Sequence, residues 1–485
     1  MDLATFRTEA HRIVERMADY LADLETWPVR SRLPPGAVAA QLPQAAPEAG
    51  EPLEALLADV ERIVLPGLTH WQHPRFFAYF PANSSPPAIL AEMLTAAFAA
   101  QCMLWQTSPA ATELETVVLD WLRQLVGLPP GFHGVIQDTA SSATLCAVLM
   151  ARERATGWRS DAEGLAGLPP LRVYASAEAH SSVEKAVRIA GLGRAGLRLV
   201  PVDAAWRMRP DALAAMIAAD RAAGTVPAGV VATFGTTGLG ALDPLAEIAA
   251  VCRQEGLLLH VDAAWAGSAL LLPEVRELAN GLAAADSVVI NPHKWLLTNF
   301  DCTAHWVRDP AALVRTLSVL PPYLRSAETG RVIDYRDWGV PLGRRFRALK
   351  LWFVLRSYGA EALRAKLRAD LAMAADAAQR LAAVPGIEIV THSLALVVFR
   401  HLPASLAGDP AALDAHNRDL VERINADGRL YLTPGACDGR AVIRLAVGGT
   451  WTRPRHIAEA VDVIAELAAA PGGARRGEPP ARAEG

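Results

Sequence analysis

Phe6, Ala10, Ile13, Val14, Met17 and Leu21 recur at helical spacing with charged residues between them, which predicts an opening helix with one apolar stripe and one charged face. Such a stripe needs a partner. Pro28, Pro34, Pro35, Pro43 and Pro47 then interrupt regular structure until Leu53, Leu56, Leu57, Val60, Ile63 and Val64 restore the helical period. Residues 1–80 therefore read as an N-terminal helical arm, a dimerisation segment rather than an independent domain.

From 81 to 358 the pattern changes. Short apolar runs at 173–175, 197–202, 230–234, 257–261 and 288–290, each of strand length and bounded by turn residues, alternate with helical stretches. That alternation predicts a large α/β domain on a mostly parallel sheet, with ligands at the carboxyl ends of its strands. After Tyr358 an alanine-rich helical stretch precedes runs at 387–390, 396–399, 430–432 and 442–447, which predict a small C-terminal α+β domain over 359–470. Residues 471–485, rich in Gly, Pro, Arg and Glu, carry too little apolar surface to order themselves and read as a disordered tail.

Composition narrows the partners. Of 485 residues, 52% are hydrophobic and 20% charged, as expected of a globular chain large enough to hold a site between domains. A net charge of -4 gives no electrostatic footprint for nucleic acid. Cys102, Cys146, Cys252, Cys302 and Cys437 lack CxxC or CxxH spacing, so neither a disulfide framework nor a metal site is expected, and a reducing cytoplasm is the expected compartment. Residues 1–25 lack the basic and apolar regions of a secretory leader, and no stretch of about 18 residues is apolar enough to predict a membrane span.

Gly191, Gly193 and Gly196 satisfy GxGxxG, but they follow a helical pattern and precede a strand, the reverse of a dinucleotide fold, so they predict a turn. Three strand ends are more informative: Asp262 in His260-Val-Asp-Ala-Ala-Trp, His180 in Ala179-His-Ser-Ser-Val-Glu, and Lys294 in Asn291-Pro-His-Lys-Trp. Each alone has a structural role open to it: Asp262 as a helix cap, His180 as a loop residue before a Ser181/Glu184 capping box, Lys294 as a solvated turn lysine. Together they match the needs of pyridoxal 5'-phosphate (PLP). Lys294 offers an amine for the aldehyde, Asp262 an anion for the ring nitrogen, and His180 a flat group for the ring face. Thr139, Ala140, Ser141 and Ser142 precede a helical segment, where free N–H groups and hydroxyls suit a phosphate or simply cap the helix.

Longer motifs carry a resemblance. His73-Pro-Arg-Phe-Phe-Ala-Tyr-Phe-Pro, Ser108-Pro-Ala-Ala-Thr-Glu-Leu-Glu and Gly343-Arg-Arg-Phe-Arg join the three strand-end motifs in an order similar to that of the group II PLP-dependent decarboxylases, specifically the aromatic-L-amino-acid decarboxylase family of fold type I. The resemblance implies decarboxylation of tryptophan, tyrosine, phenylalanine or DOPA in a homodimer with shared active sites. It places Thr237 near the cofactor, Asn291 and His293 near its phosphate, and Trp71, Tyr79, Phe80 and Pro81 at the substrate wall. It also implies that Tyr323 delivers the proton to Cα from a mobile loop continuing through 326–334. Arg344 and Arg345 are expected to pair with carboxylates near the site.

Departures from the family pattern bear on the substrate. Ala82 and Asn83 stand where animal enzymes have Thr and Ala, which removes a hydroxyl suited to a catechol. Gln101 and Met103 replace an apolar residue and an aromatic one that the neighbouring subunit supplies to the pocket. Asp138 and Thr139 replace Gly and Ser beside the phosphate, and the added carboxylate is unfavourable unless it points away. Trp265 replaces a tyrosine past the strand end and is expected to matter less. Gly343, where some plant tyrosine-type enzymes carry Ser, leans towards an indole-sized substrate. An aromatic aldehyde synthase and a non-catalytic PLP-binding homologue are the alternatives; Tyr323 together with His180 favours amine production.

Overall fold

The computed structural model describes residues 1–319, 328 and 330–470. Tyr323, most of its loop and the tail at 471–485 lie outside the described residues.

The large sheet has seven strands: β1 (His133–Gln137), β2 (Leu171–Ser176), β3 (Leu197–Val200), β4 (Val226–Thr233), β5 (Leu258–Asp262), β6 (Ser287–Ile290) and β7 (Thr303–Val307), in the spatial order β1-β7-β6-β5-β4-β2-β3. β3, β2, β4, β5 and β6 pair in parallel, and β7 runs antiparallel to both β6 and β1. β4 and β5 read as nearly unbroken apolar runs because helices cover both faces of such a sheet. Its register sets Thr233, Asp262 and Val289 side by side across three strands. The carboxyl ends of β2, β4, β5 and β6 therefore open on one edge.

A second, antiparallel sheet contains β8 (Ile387–Ser393), β9 (Leu396–His401), β10 (Thr433–Cys437) and β11 (Arg440–Ala446), in the order β10-β11-β9-β8. The helix Arg347–Ala382 joins the two sheets and is interrupted at Gly359, whose φ of 69° an L side chain would resist. The apolar run at 430–432 is not a strand of this sheet. Only Tyr431 forms an isolated bridge, to Phe76, and the strand begins at Thr433. The run at 197–202 is likewise shorter as a strand, ending at Val200.

The opening helix spans Leu3–Ala22, with Asp2 accepting the Thr5 N–H at 2.7 Å, yet none of its residues is buried. Arg12 and Arg16 tie it to Glu54 and Glu61 of the following helical segment. The extended arm packs on the smaller sheet's side of the molecule, where the Val29 N–H donates to Gly428 O at 3.0 Å. Gly191 and Gly193 take φ of 79° and 68° in the turn before β3. No capping box forms at Ser181: Ser181 makes no side-chain cap, and Glu184 pairs with Arg194 at 2.9 Å instead. Among the described residues no helix is long and apolar enough to cross a membrane, and no cluster of three or more His, Cys, Asp or Glu could hold a metal.

Candidate active site

A cavity of about 240 Å³ opens at the carboxyl edge of the large sheet. Phe80, Thr139, Ala140, Ser141, His180 and Thr237 line it, together with Asp262, Trp265, Asn291, His293, Lys294 and Phe300. The edge gathers residues that are far apart in sequence because all but Phe80 and Phe300 lie at or just after a strand end.

Lys294 lies in a single helical turn, Pro292–Trp295, directly after β6. Protein surrounds its ammonium closely enough that desolvation pushes its pKa below the ordinary value, with Asp262 opposing the shift. Asp262 ends β5 and is 5% exposed. Its Oδ1 accepts the Ala264 N–H at 3.0 Å, and among the described residues no cation forms an ion pair with it. Its second oxygen is thus available to a proton donor in the cavity.

His180 keeps an open side, while the protein packed behind it lowers its pKa. The Ser182 backbone N–H donates to its Nδ1 at 3.2 Å, so the neutral ring carries its proton on Nε2. His293 is fixed in the same way: the Cys302 N–H donates to Nδ1 at 3.0 Å, and burial pushes its pKa down to about 3. Asn291 Oδ1 accepts the Thr303 hydroxyl at 3.0 Å, which leaves its amide as a donor.

The helix Ala140–Thr156 starts at the cavity, and Thr139 caps it by accepting the Ser142 N–H. Among the described residues the N–H groups of Ala140 and Ser141 find no protein acceptor. They point to an anion, since a helix N-terminus concentrates both free donors and positive potential. Asp138 does not line the cavity; its Oδ1 accepts the Thr139 N–H at 2.6 Å. Free N–H groups, a buried carboxylate, a desolvated amine and an open imidazole together fit the phosphate, ring nitrogen, aldehyde and ring face of PLP.

Trp265 is a correction to the sequence reading. It is 2% exposed, lines the cavity, and stacks between Phe80 at 4.3 Å and Trp295 at 5.5 Å, with its indole N–H lacking a partner. Arg444 is a residue that no sequence motif marks. This guanidinium is 4% exposed and pairs with no carboxylate among the described residues. Its Nε donates to Gly238 O at 3.0 Å, it lies 5.2 Å from the Phe80 ring centre, and burial pushes its pKa down to about 10. No local motif announces it, because Gly238 and Phe80 are remote in sequence.

Of the expected substrate wall, the chain brings only Phe80 to the cavity. Trp71 and Tyr79 stack on each other at 5.7 Å on an exposed face, and Pro81 packs near Gly448. Ala82 lies outside the cavity lining, its carbonyl accepting from Gln72 at 2.6 Å. Gln101 and Gly343 line a separate depression, where Gln101 Oε1 accepts the Arg344 N–H at 2.7 Å. Met103 belongs to neither and is half-buried. Arg344 pairs with buried Glu115 at 2.6 Å, and Arg345 with Glu92.

Residues 35–402 match the family model described as the pyridoxal-dependent decarboxylase conserved domain. The chain is 41% identical to phenylacetaldehyde synthase of Arabidopsis thaliana, covering 96% of each chain. It is 42% identical to a tryptophan decarboxylase of Camptotheca acuminata, covering 95% of this chain and 94% of the other. Among solved structures it is similar to that of Oryza sativa TDC with PLP and tryptamine, at a TM-score of 0.93 and 37% identity over 96% of this chain and 98% of that one.

Proposed function

The chain belongs to the pyridoxal-dependent decarboxylase family, and on that premise we propose that it removes the carboxylate of an aromatic L-amino acid, releasing the arylalkylamine and CO2. The observation that carries this reading is the convergence of Lys294, Asp262, His180 and two free helix N–H groups on one cavity. When bound, PLP supplies an electron sink for the bond broken at Cα.

The chain's own residues do the rest. Lys294 presents an amine whose depressed pKa raises its unprotonated, nucleophilic fraction. The free oxygen of Asp262 keeps the ring nitrogen protonated. His180, neutral and proton-bearing at Nε2, covers the ring face. Ala140 and Ser141 N–H groups, with the Ser141 and Thr237 hydroxyls, Thr139, the Asn291 amide and His293 Nε2, hold the phosphate. Phe80 and Trp265 wall the apolar side, which excludes water from the reacting carbon. Tyr323 returns the proton to Cα.

The active unit is a homodimer, with residues 81–358 as the cofactor-binding part, 359–470 as the small domain and 1–80 as the arm, whose opening helix packs on a second copy. Supporting this are the unburied opening helix, Phe300 at 60% exposure beside the cavity, and exposed Leu90, Met93, Leu94 and Phe98 on the helix Pro86–Phe98. The break at Gly359 coincides with the proposed boundary. Five free, buried cysteines suit a cytoplasmic location. Gln101, Met103 and Gly343 are then pocket residues contributed across the interface, with Trp71, Tyr79, Pro81 and Ala82 at the same rim.

The aldehyde-producing relative favours a second reading, in which oxygen is consumed and peroxide released. A mass-resolved product assay on mixed aromatic amino acids with added PLP separates the two: amine and CO2 without peroxide are expected, and aldehyde with stoichiometric peroxide would replace the proposal. Tyr323→Phe should lose amine and gain aldehyde; unchanged amine output removes Tyr323 from the mechanism.

A further inference from the structure

Asn83 is 2% exposed and sits where three segments meet. Its main-chain N–H donates to His293 O at 2.8 Å, and its Nδ2 donates both to Lys294 O at 2.7 Å and to Gly448 O at 3.1 Å. Thr450 Oγ1 lies 2.8 Å from Asn83 Oδ1 and 2.7 Å from Ser84 O, one hydroxyl proton between two acceptors. The amide orientation follows from chemistry, since the reverse would set an oxygen against two carbonyls. The main-chain N–H and both side-chain polar atoms of Asn83 are therefore engaged, and two of its bonds fall on the backbone of the residues at 293 and 294.

The turn Pro292–Trp295 has only four residues, too few to satisfy its carbonyls internally. Asn83 supplies the missing donor to Lys294. The other end of the contact is equally constrained: a Cβ at Gly448 would meet Trp295 at 2.9 Å, and Trp295 Nε1 donates to Asp370 Oδ2 at 2.9 Å. The strand-end turn at 448–450, the segment carrying Phe80 and the turn carrying Lys294 are thus locked at one side chain.

We infer that Asn83 is a positioning residue for Lys294, orienting the amine through its main-chain carbonyl and coupling it to the 448–450 turn of the smaller sheet. The inference rests on the proposed role of Lys294. Alanine at 83 leaves the Lys294 and Gly448 carbonyls without a donor; aspartate keeps the size but sets an anion against both. The disturbance should surface where Lys294 acts.

The test compares wild type, Asn83→Ala, Asn83→Asp and Thr450→Val. In apo protein, hydrogen exchange at 292–298 and 448–450 should rise in Asn83→Ala while the rest of the sheet keeps its protection. On adding PLP, the visible band of cofactor bound to Lys294 should form about ten-fold more slowly, and kcat should fall about ten-fold with KM changed less than about two-fold. Asn83→Asp should be worse, and Thr450→Val, which loosens Asn83 without touching Lys294, milder in the same direction. If Asn83→Ala does not fold, the Thr450→Val comparison carries the decision alone. Wild-type exchange, band formation and kcat in the folded variants would overturn the inference, as would losses matching only the unfolded fraction. No band in wild type would instead sink the cofactor assignment itself.

Discussion

Asp262, Asn291 and His293 are each no more than 5% exposed and already hydrogen-bonded within the chain, whereas Trp71 and Tyr79, expected at the wall of the same site, remain 40% and 49% exposed. The first group follows strands whose backbones are held by neighbours in the sheet. The second lies on surfaces that this chain leaves open. Chemistry that fails when an atom shifts by about 1 Å is built where the backbone has least freedom. Selectivity, on the reading proposed above, is left to a surface that a second copy completes.

The sharpest way to break that contrast is kinetic. Lys294→Ala should lower kcat on the order of 10⁴-fold, and Asp262→Asn roughly 10²- to 10³-fold, because in the proposed function each removes a group that acts on the reacting system. Met103→Ala should leave kcat within about three-fold and move mainly KM, since a lost apolar contact is worth only about 1–3 kcal/mol. Steady-state measurements across the same aromatic amino acids decide it. A fall in kcat at Met103 equal to that at Asp262 would place the rim in the chemistry.

Acid should separate the two regions again, with a smaller effect. Beneath the cavity His260 Nδ1 lies 2.8 Å from Ser287 Oγ, which lies 2.9 Å from His305 Nε2, and burial pushes the two rings down to about 3 and about 4. Both stay neutral in the fold while an unfolded chain protonates them below its ordinary value of 6.5. Their contribution is intact above pH 6.5 and lost as pH falls towards 4 and 3, at roughly 1.4 kcal/mol per ring for each pH unit. Denaturant midpoints should drop over that window, and His305→Gln should flatten the slope by about one proton. A slope unchanged by His305→Gln would mean that the ring is already charged in the fold.

The same contrast explains what could be read from sequence. Lys294, Asp262 and His180 were legible because each follows a contiguous apolar run, so strand and chemistry lie within a few positions. β7 was not: Thr303-Ala-His-Trp-Val is buried on both faces, and its interior His305 breaks the apolar signature. The run at 430–432 misleads because Leu430 and Leu432 are buried in the main core without joining the ladder, while the true strand places Pro434 and Gly435, which propensity disfavours, directly after Thr433. Asn83 registered only as a departure at the substrate wall, since the partners that give it a role lie 211 and 365 positions away. Trp265 follows a strand end, which from sequence argues for a minor role, although that is where this sheet places its cavity.

The smallest expected effect concerns Asp138, the one added charge beside the proposed phosphate cradle. Its carboxylate takes the Thr139 N–H at 2.6 Å, just before the two N–H groups that face the cavity. An anion near a helix N-terminus is individually favourable, but a second anion bound there must share the same positive potential. Asp138→Asn keeps an acceptor for Thr139 and removes the charge, so it should tighten PLP by about two- to five-fold, corresponding to roughly 0.3–1 kcal/mol, with a weaker salt dependence. Equilibrium titration of apo protein with PLP at two salt concentrations measures both. Weaker binding in Asp138→Asn would mean that the carboxylate holds the Thr139 backbone in place more than it repels the phosphate.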